Sequence, residues 1–489
     1  MASQLEAAPR APTGDMFGQP KGLWVLAGTE LWDRISFHGM QAMLVLYMTG
    51  DLLKHPDRMA KIIGFDAYRG AVESMTGPLT DVALATQTFG FYLAFVTGLP
   101  LLGGWVGDKF TGRKIAVGLG AAMMTAGHFF LAFDPTFLIA LVLLMFGAGF
   151  LRGNLSAQIK SLYADGDPRE TNAFQYYYFS VNFGAFIAPI MTSTVAVTLG
   201  YGWHAGFAVA GVGMLIGLVI YLVGARFLPP DGTRRAAAAT ASDPVARQPL
   251  TSNQKRRIMG LFALWPISVL FWTAQAQIWN VYNVWVQDHI DMHVGSFEMP
   301  VPYLQSLDGL APALFTPLTL WIWASMAKKG REPDEYGKLA FGLALFGLAV
   351  LLLAAEPMFA GGAGKGPVAL PVMFHVISNF GAVWFAPVML ALWATRAPAT
   401  WRGTLIGINS LAVSAASIIS GRMGSLYEQM TPSSFWLLNA AFCFAAAVIV
   451  LVLRGFYRRI LARENAEDDA ALPPKEEVAM DPGVARALD

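Results

Sequence analysis

Three ionisable side chains lie close together in the stretch GTELWDRISFHGMQAMLVLYM, residues 28–48. Glu30, Asp33 and Arg34 are three and four residues apart, which places them on one face of a helix. The second half of the stretch is apolar enough for a membrane span, where an ionisable side chain marks a functional site by default. An acid that a base holds ionised while burial favours its neutral form can take up a proton when the base leaves. We therefore predict that Glu30, Asp33 and Arg34 perform proton coupling; the alternative is a fixed ion cluster between the first and fourth helices.

Two more charged residues stand inside apolar stretches. Arg152 lies within 136–163 and Asp308 within 303–327, so with the first three they would supply two positive and three negative groups in the membrane. A guanidinium can bind a substrate carboxylate through two parallel hydrogen bonds. Arg34 or Arg152 would thereby release a paired acid for protonation. The alternatives are that Arg152 anchors one end of its span and that Asp308 caps a helix.

Polar and aromatic residues near these charges admit two interpretations. His38 is one turn past Arg34, and both His38 and His375 would titrate near neutrality in a water-filled cavity. Otherwise each makes a buried polar contact. Aromatic side chains would wall an apolar pocket or pack against lipid and other helices; they are Phe37, Tyr177, Trp272 and Trp279. His289, Asp291 and His293 are best explained as an ordinary polar loop, so we expect no metal site.

The composition indicates lipid as the main surroundings of these residues. The chain has 489 residues, of which 55% are hydrophobic and only 14% charged, and its mean hydropathy is +0.48. About a quarter of the residues would be charged in a typical soluble protein. The net charge of +1 gives no basic surface for nucleic acid, and the single cysteine, Cys443, excludes a disulfide framework within one chain.

Apolar windows of about 20 residues, enough to cross a bilayer, recur about twelve times. We place them near 22–53, 80–106, 114–133, 136–163, 172–199, 204–228, 257–286, 303–327, 336–355, 367–395, 400–424 and 432–455. The residues before Lys21 lack an apolar signal-peptide core, so the first span is expected to direct insertion. Lys and Arg are concentrated in alternate loops, which predicts a multi-pass inner-membrane protein with both termini cytoplasmic.

The spans fall into two blocks of six. The stretch LPPDGTRRAAAATASDPVARQPLTSNQKRR is polar, basic and rich in small residues, which is typical of a linker. Two six-span blocks joined by a cytoplasmic linker are the outline of the major facilitator architecture. We therefore divide the chain into a cytoplasmic tail, a first bundle, a cytoplasmic linker, a second bundle and a second cytoplasmic tail, at 1–21, 22–228, 229–256, 257–457 and 458–489. From Glu464 the tail is charged and contains proline, which predicts disorder.

The loop after the second span, GGWVGDKFTGRK, combines small residues with charges. Small residues let helices approach closely. Asp108 is placed to cap a helix or pair within its half, while Arg113 and Lys114 would face the cytosol. The loop resembles the signature loop of major facilitator transporters, so we assign Asp108, Arg113 and Lys114 to a cytoplasmic gate. The alternative is that any short cytoplasmic loop is basic.

Several motifs together resemble the proton-dependent oligopeptide transporter family. ELWDRISFHGM resembles its first-helix signature E-x-x-E-R-F-x-Y-Y-G, and FQYYYFSVNFGAFIAP resembles its fifth-helix pattern. FWTAQAQ, LQSLDGLAPALFTP and GAVWFAPVMLALWATRAP resemble its patterns in spans seven, eight and ten. The resemblance covers nearly every span in the right order. It implies twelve helices in two six-helix pseudo-repeats.

The chain departs from the family pattern at charged and aromatic positions of the motifs. The second acid of the first motif is Asp33 instead of glutamate, and the glutamates of spans seven and ten are replaced by Ala276 and Ala382. In span eight an asparagine has become Asp308. The remaining departures are Phe37 and His38 for a tyrosine pair, Gln41 for arginine and Arg152 for lysine. A cation anchor could thus have moved, or the substrate could differ.

The resemblance implies a secondary active transporter that takes up di- or tripeptides with protons by alternating access. The candidate substrate-binding residues are Arg34, Phe37, His38, Gln41, Arg152, Asn182, Trp272, Gln277 and Asp308. For Asn182 a contact between helices is the alternative. Without a Walker A motif the expected energy source is the proton gradient, with no cofactor. The expected partners are the peptide or small-molecule substrate, protons and lipid, with no nucleic acid, and we expect a monomer.

Three other functions stay open. The chain could carry or export a different organic solute, or act as a sensor that binds substrate without cycling. A membrane-embedded enzyme is disfavoured because neither GxSxG nor HExxH occurs.

Overall fold

The computed structural model describes residues 14–164, 166–231, 250–360 and 364–462, and twelve long helices dominate it. The twelve are α1 Lys21–Gly50, α2 Asp81–Val106, α3 Arg113–Phe130, α4 Phe137–Lys160, α5 Arg169–Ser193, α6 Trp203–Gly224, α7 Ser252–Ala276, α8 Ser306–Lys328, α9 Glu335–Ala354, α10 Ala369–Arg396, α11 Arg402–Tyr427 and α12 Pro432–Val452. By length and composition, ten of the described helices could cross a membrane; α1 and α3 are the long helices outside that set. The integral-membrane, all-α prediction is confirmed.

Short elements connect the long helices. The shorter helices are Pro56–Met59, Phe65–Thr76, Val281–His289 and Arg454–Ile460. Short 3-10 helices occupy Leu52–Lys54, Asp134–Thr136, Ala225–Phe227, Gln277–Trp279, Val301–Gln305, Glu356–Met358 and Ala399–Trp401. Turns of π-helix occupy Gly107–Thr111 and Thr194–Thr198. Two-residue strands form three pairs, namely Asp15–Met16 with Gln19–Pro20, Ile290–Asp291 with Gly366–Pro367, and His293–Val294 with Phe297–Glu298.

The two blocks of six helices repeat one packing pattern. In the first half α1 packs on α5 and α6, α4 on α2 and α3, and α3 on α6. In the second half α7 packs on α11 and α12, α10 on α8 and α9, and α9 on α12. Each of these packed helix pairs in the first half therefore has a counterpart in the second half, six helices later along the chain. The predicted six-plus-six pseudo-repeat of the major facilitator fold is therefore confirmed.

The ends of the helices gather on two faces. On the terminal face, which carries the start of α1 and the end of α12, Arg169 at the start of α5 binds Asp15 before α1 at 3.1 Å. Arg454 after α12 binds Asp334 before α9 at 2.9 Å on the same face. On the opposite face Arg58 binds Asp134, which joins the loop after α1 to the start of α4. Successive helices therefore run in opposite directions through the bundle.

The two halves meet along the pairs α2–α11 and α5–α8. Both contacts depend on glycine, because a Cβ on Gly90 would lie 2.6 Å from the Ser417 carbonyl oxygen and one on Gly309 2.2 Å from the Phe186 amide nitrogen. Thr97 and Ser414 share a hydrogen bond of 2.9 Å near the middle of α2 and α11. Toward the opposite face Thr194 and Tyr303 share one of 2.6 Å.

The predicted boundaries are wrong in span seven. Helix α7 begins at Ser252, five residues before the predicted bundle start, because Thr251 and Gln254 form a reciprocal cap that satisfies the first amides. The predicted span 257–286 is also not one helix. It ends at Ala276, turns through Gln277–Trp279, and resumes at Val281 after Asn280, whose φ of −120° and ψ of −111° are not helical.

Parts of the predicted tails and linker lie outside the described residues. They are 1–13 of the N-terminal tail, 232–249 of the linker and 463–489 of the C-terminal tail. The predicted disorder of the C-terminal tail therefore stays a prediction.

Candidate functional site

The charged residues of the first motif form one contiguous ion cluster with α4 and α5, which we call the first-half cluster: Glu30, Asp33, Arg34, Arg152 and Tyr177. Arg34 Nε donates to Glu30 Oε1 at 2.6 Å. Arg152 donates to both oxygens of Asp33, from Nε at 3.0 Å and from Nη2 at 3.3 Å. The Tyr177 hydroxyl donates to Glu30 Oε2 at 2.6 Å. Arg34 Nε is also 3.7 Å from Asp33 Oδ2, so the two ion pairs are neighbours.

The acids and the bases of this cluster differ in exposure. Glu30 and Asp33 have 1% and 0% of their surface exposed. Arg34 and Arg152 have 20% and 11% of their side chains exposed. Two guanidinium groups and two carboxylates balance to zero charge when all four are ionised. The guanidinium groups are therefore the more exposed members of the cluster, and the carboxylates are buried.

Close helix packing brings the members together. On α5 a Cβ on Gly184 would lie 2.7 Å from Arg34 Cβ, so only glycine lets α5 lie against α1 at this level. Tyr177 is two turns earlier on α5 and thereby meets Glu30. On α4, Gly149 and Gly153 lie against Leu99 and Pro100 of α2, which positions the turn that carries Arg152.

An aromatic ring of α1 packs against the guanidinium of Arg152. The guanidinium carbon lies 4.1 Å from the ring centre of Phe37, a cation–π contact. Phe37 stacks on Tyr92 of α2, with ring centres 6.4 Å apart. His38 faces the second half, where its ring centre lies 5.4 Å from that of Trp279. Phe37 thus packs against the cluster through Arg152, while His38 lies where the two halves meet.

The structure does not bring every predicted substrate-binding residue to this cluster. Asn182 donates to the Tyr178 carbonyl of its own helix at 2.8 Å. Trp272 is half-buried and packs with Val269 on α7 against α11. Gln277 is fully buried and donates to the Ser420 carbonyl at 3.3 Å. Trp272 and Gln277 thus contact α11, and Asn182 bonds to the backbone of its own helix.

Gln41 is buried on α1, one turn past Phe37. No contact of Gln41 with Arg34 or Arg152 is present in the described part of the chain.

Asp308 lies in the second half, separate from the first-half cluster. Its Oδ1 accepts hydrogen bonds from His375 Nδ1 at 2.8 Å and from Asn379 Nδ2 at 2.7 Å. The cap of α8 is Gln305, so the alternative of Asp308 as the helix cap is wrong. Asp308 therefore has other partners than the four charges of the first-half cluster, because it faces α10 rather than α1 and α4.

The predicted gate residues make contacts within the first half. Arg113 Nε donates to Asp108 Oδ1 at 2.8 Å, and its Nη1 donates to the Ala157 carbonyl at 3.3 Å. Lys114 Nζ donates to the carbonyls of Ala225 and Leu228 at 3.1 and 2.8 Å. These bonds tie the α2–α3 loop to the ends of α4 and α6. In this conformation they brace the terminal face of one half, and no contact of theirs with the described second half is present.

Three partners of the buried acids do not follow from the sequence pattern. The pattern indicates Tyr177 as a pocket-wall or packing aromatic, yet its hydroxyl binds Glu30. It does not link His375 and Asn379 to Asp308, which both bind. Their spacing of four residues on an apolar helix is the signal that could have suggested a shared partner, because such residues lie on one face.

Comparisons with known proteins agree with this architecture. The family model described as "POT family" matches residues 114–242 and 233–441. The peptide transporter YePEPT of Yersinia enterocolitica is 26% identical, and the alignment covers 92% of this chain and 97% of that protein. A di-/tripeptide transporter of Lactococcus lactis is 23% identical over 90% of this chain and 96% of its own length.

Solved structures of similar proteins share the fold. A mutant of the peptide transporter POT in complex with alafosfalin superposes with a TM-score of 0.77 at 25% identity, covering 92% of this chain and 97% of that one. A POT family transporter in complex with 5-aminolevulinic acid gives a TM-score of 0.76 at 23% identity, over 91% and 99% of the two chains. The fold of this chain is thus shared with these two solved structures.

Proposed function

This chain belongs to the POT family, and we propose that it is a proton-coupled transporter that carries di- or tripeptides, or peptide-like solutes, by alternating access. The similar proteins of Yersinia enterocolitica and Lactococcus lactis are described as peptide and di-/tripeptide transporters. The observation that supports the proposal most directly is the first-half cluster, in which two buried carboxylates are paired with two partly exposed guanidinium groups.

In the proposed mechanism the substrate carboxylate competes with the protein carboxylates for arginine. Arg34 holds Glu30, and Arg152 holds Asp33. When a peptide carboxylate takes the guanidinium of Arg34, Glu30 loses its counter-charge while still buried. A buried carboxylate without a counter-charge favours its protonated form. Glu30 then takes up a proton, so that substrate and proton are bound together.

The same exchange works in reverse on the other side of the membrane. Deprotonation of Glu30 restores the ion pair with Arg34, which displaces the substrate carboxylate. The contacts between halves run along α2–α11 and α5–α8 and depend on glycine at Gly90 and Gly309. Such close, smooth contacts allow one half to rock against the other around a central site.

We propose that the protein recognises its substrate by the carboxyl end. At the two positions where the family resemblance implies glutamate, the chain has Ala276 and Ala382. Asp308 has one oxygen bound by His375 and Asn379 and the other buried without a partner in the described residues. Arg34 and Arg152 are therefore the groups that would select the substrate.

We further propose that the terminal face is cytoplasmic and that the membrane is the inner membrane. Basic residues of the terminal face include Lys109, Arg113, Lys114 and Arg169. Short cytoplasmic loops carry an excess of Lys and Arg. Both described ends of the chain then lie in the cytoplasm. The gradient of protons across that membrane would drive uptake.

Uptake of a labelled dipeptide into proteoliposomes tests the proposal. With an acidic outside and neutral inside, we expect accumulation above the external concentration, and a proton ionophore should abolish it. Binding of the peptide without uptake would instead indicate a sensor, and gradient-independent equilibration would contradict proton coupling. Product formation would indicate an enzyme.

A further inference from the structure

A second buried acid lies in the second half, and its surroundings differ from those of the first-half cluster. Asp308 on α8 has 11% of its side chain exposed, and His375 on α10 has none. Asn379 is one turn further along α10 and is 7% exposed. We call Asp308, His375 and Asn379 the second-half triad. All three are within the segments of α8 and α10 that are apolar enough to cross a membrane.

The hydrogen bonds of the triad are incomplete. Asp308 Oδ1 receives two of them, but Oδ2 is buried and has no partner among the described residues. The same holds for His375 Nε2. A buried carboxylate oxygen without a donor is costly for an ionised acid. Pro312, four residues after Asp308, also lacks the amide that would bind the Asp308 carbonyl.

The charge of the triad depends on one proton. With Asp308 ionised and His375 neutral, the triad carries one negative charge inside the bundle. One added proton neutralises it, either as a carboxylic acid beside a neutral imidazole or as a carboxylate beside an imidazolium. A net charge in hydrocarbon is strongly unfavourable, whereas a neutral pair is tolerated. The site is therefore built to hold a proton.

In the part of the chain that the structure describes, the hydrogen-bond and ion-pair contacts of the triad include no lysine or arginine as a compensating cation. Tyr282, from the helix Val281–His289, places its ring centre 5.4 Å from that of His375. Trp436 of α12 lies behind Tyr282, with ring centres 6.3 Å apart. At the next residue, Gly309, the backbone atoms of Ala185 and Phe186 of α5 lie close to where a Cβ would stand. An aromatic ring therefore packs against His375, and the α5 backbone lies against the residue next to Asp308.

The triad is next to the contact between the halves. Gly309, adjacent to Asp308, is so close to α5 that a Cβ there would lie 2.2 Å from the Phe186 amide nitrogen. Any rocking of the halves that opens this contact also changes the access of water to Asp308. A proton on this site can therefore be exchanged in one conformation and retained in the other.

We propose that Asp308 and His375 form a second proton-binding site, whose proton is carried in the transport cycle together with that of the first-half cluster. Only the second part of this proposal, that the proton is carried in the transport cycle, rests on the proposed function. It differs from a role of Asp308 as an anchor for a substrate amino group, because neither carboxylate oxygen is available to a solute in this conformation.

The test is a proton count on the purified full-length protein. Proton uptake after a pH jump is measured with an indicator dye for the wild type and for Asp308→Asn. We expect the variant to bind a single proton fewer per chain. His375→Asn retains a donor near the position of Nδ1 but cannot titrate, and we expect the midpoint of the missing proton to shift. An unchanged proton count and midpoint in both variants would overturn the proposal.

The matched control is the exposed pair of Asp291 and His293, whose Oδ1–Nδ1 distance is also 2.8 Å with both side chains 56% exposed. Asp291→Asn should leave the buried proton in place. If Asp308→Asn does not fold, the proposal is tested by His375→Asn alone, through the pH midpoint of proton uptake. Because the count needs no substrate, it stands even if the wild type fails to transport peptides.

The part of the proposal that concerns transport is tested by the accumulation of a labelled dipeptide in proteoliposomes at a fixed pH gradient. Each coupled proton multiplies the accumulation ratio by about tenfold per pH unit. We expect Asp308→Asn to lower the ratio by about that factor and to retain counterflow exchange. An unchanged ratio with a lower proton count would show a structural proton and overturn the coupling. Selective loss of affinity for peptides with a free amino group, at an unchanged count, would indicate an amine anchor instead.

Discussion

The hydroxyl of Tyr177 donates to Glu30 Oε2 at 2.6 Å, while Arg34 holds the other oxygen of the same carboxylate. Glu30 is thus bound from α5 by a neutral donor and from its own helix by a cation. Removal of the cation by a substrate leaves the carboxylate with the neutral donor only. The exchange proposed above depends on this asymmetry between the two partners.

The first prediction concerns Glu30 as proton carrier. Glu30→Gln should abolish gradient-driven uptake of a dipeptide but spare counterflow exchange, because glutamine keeps the shape and cannot release a proton. Both rates are measured in the same proteoliposomes. Glu73→Gln is the matched control, since Glu73 also pairs with an arginine four residues away but lies in an exposed helix. Equal loss of both rates in Glu30→Gln would contradict the assignment.

The second prediction concerns the pair of Asp33 and Arg152. Removal of one partner of a buried ion pair leaves an uncompensated charge and costs about 3–5 kcal/mol. Asp33→Asn and Arg152→Gln should therefore each lower the thermal midpoint of the purified protein strongly. The double variant should lose less than the sum, because no unpaired charge remains. Additive effects in this double-mutant cycle would show that the two side chains do not interact.

The third prediction concerns the end of the peptide that is recognised. A dipeptide with an amidated carboxyl end should compete poorly for uptake, because Arg34 and Arg152 have no carboxylate to bind. A dipeptide with an acetylated amino end should compete nearly as well as the free dipeptide, since Ala276 and Ala382 offer it no counter-charge. Competition for labelled-dipeptide uptake is the measurement. Stronger competition by the amidated dipeptide than by the acetylated one would contradict this assignment.

The fourth prediction concerns the contact between α2 and α11. In Gly90→Ala the new methyl group would lie 2.6 Å from the Ser417 carbonyl oxygen. The helices must then separate, so uptake should fall severalfold while the folded protein is still recovered. Gly70→Ala is the control, because a Cβ there meets nothing within 4 Å. Full activity of Gly90→Ala would show that this close approach is not needed during transport.

The fifth prediction concerns Asp334 on the terminal face. Burial opposes its ionisation, but the Gly337 amide and Arg454 outweigh burial and hold the pKa of this carboxyl below its ordinary value. A lowered pKa stabilises the folded state above the unfolded value of about 4, and the stabilisation is lost as the pH falls through the folded value.

Asp334→Ala should therefore lower stability at neutral pH by about 1 kcal/mol, the typical effect of losing a helix cap. The difference in thermal midpoint from wild type should shrink on acidification. Exposed Glu298→Ala serves as control and should leave the midpoint nearly unchanged. A difference between wild type and Asp334→Ala that grows at low pH would contradict the assigned direction.

Much of the architecture follows from the sequence alone. Burial of backbone groups in lipid requires helices of about 20 apolar residues, so twelve apolar windows predict twelve helices. The polar, small-residue linker after Leu228 marks where the two halves divide. The spacing of Glu30, Asp33 and Arg34 also places them on one helical face, because the helical period is local.

Boundaries inside span seven could not be read in the same way. Hydropathy is continuous across 257–286, and it does not report the backbone of Asn280. The early start of α7 depends on a reciprocal cap by Thr251 and Gln254. Both features are set by hydrogen bonds of individual residues, to which a window average is insensitive.

The partners of the charges were decided by the tertiary structure. Which arginine binds which acid depends on how α1, α4 and α5 pack, and Gly184 permits an approach that no local pattern specifies. Packing of α8 against α10 pairs Asp308 with His375 and Asn379, and the sequence pattern did not specify these partners. The sequence by itself thus determined the helices and the faces on which charges lie, because these follow from local periodicity. Only the tertiary structure decided the pairs between helices, because each of those pairs joins side chains far apart along the chain.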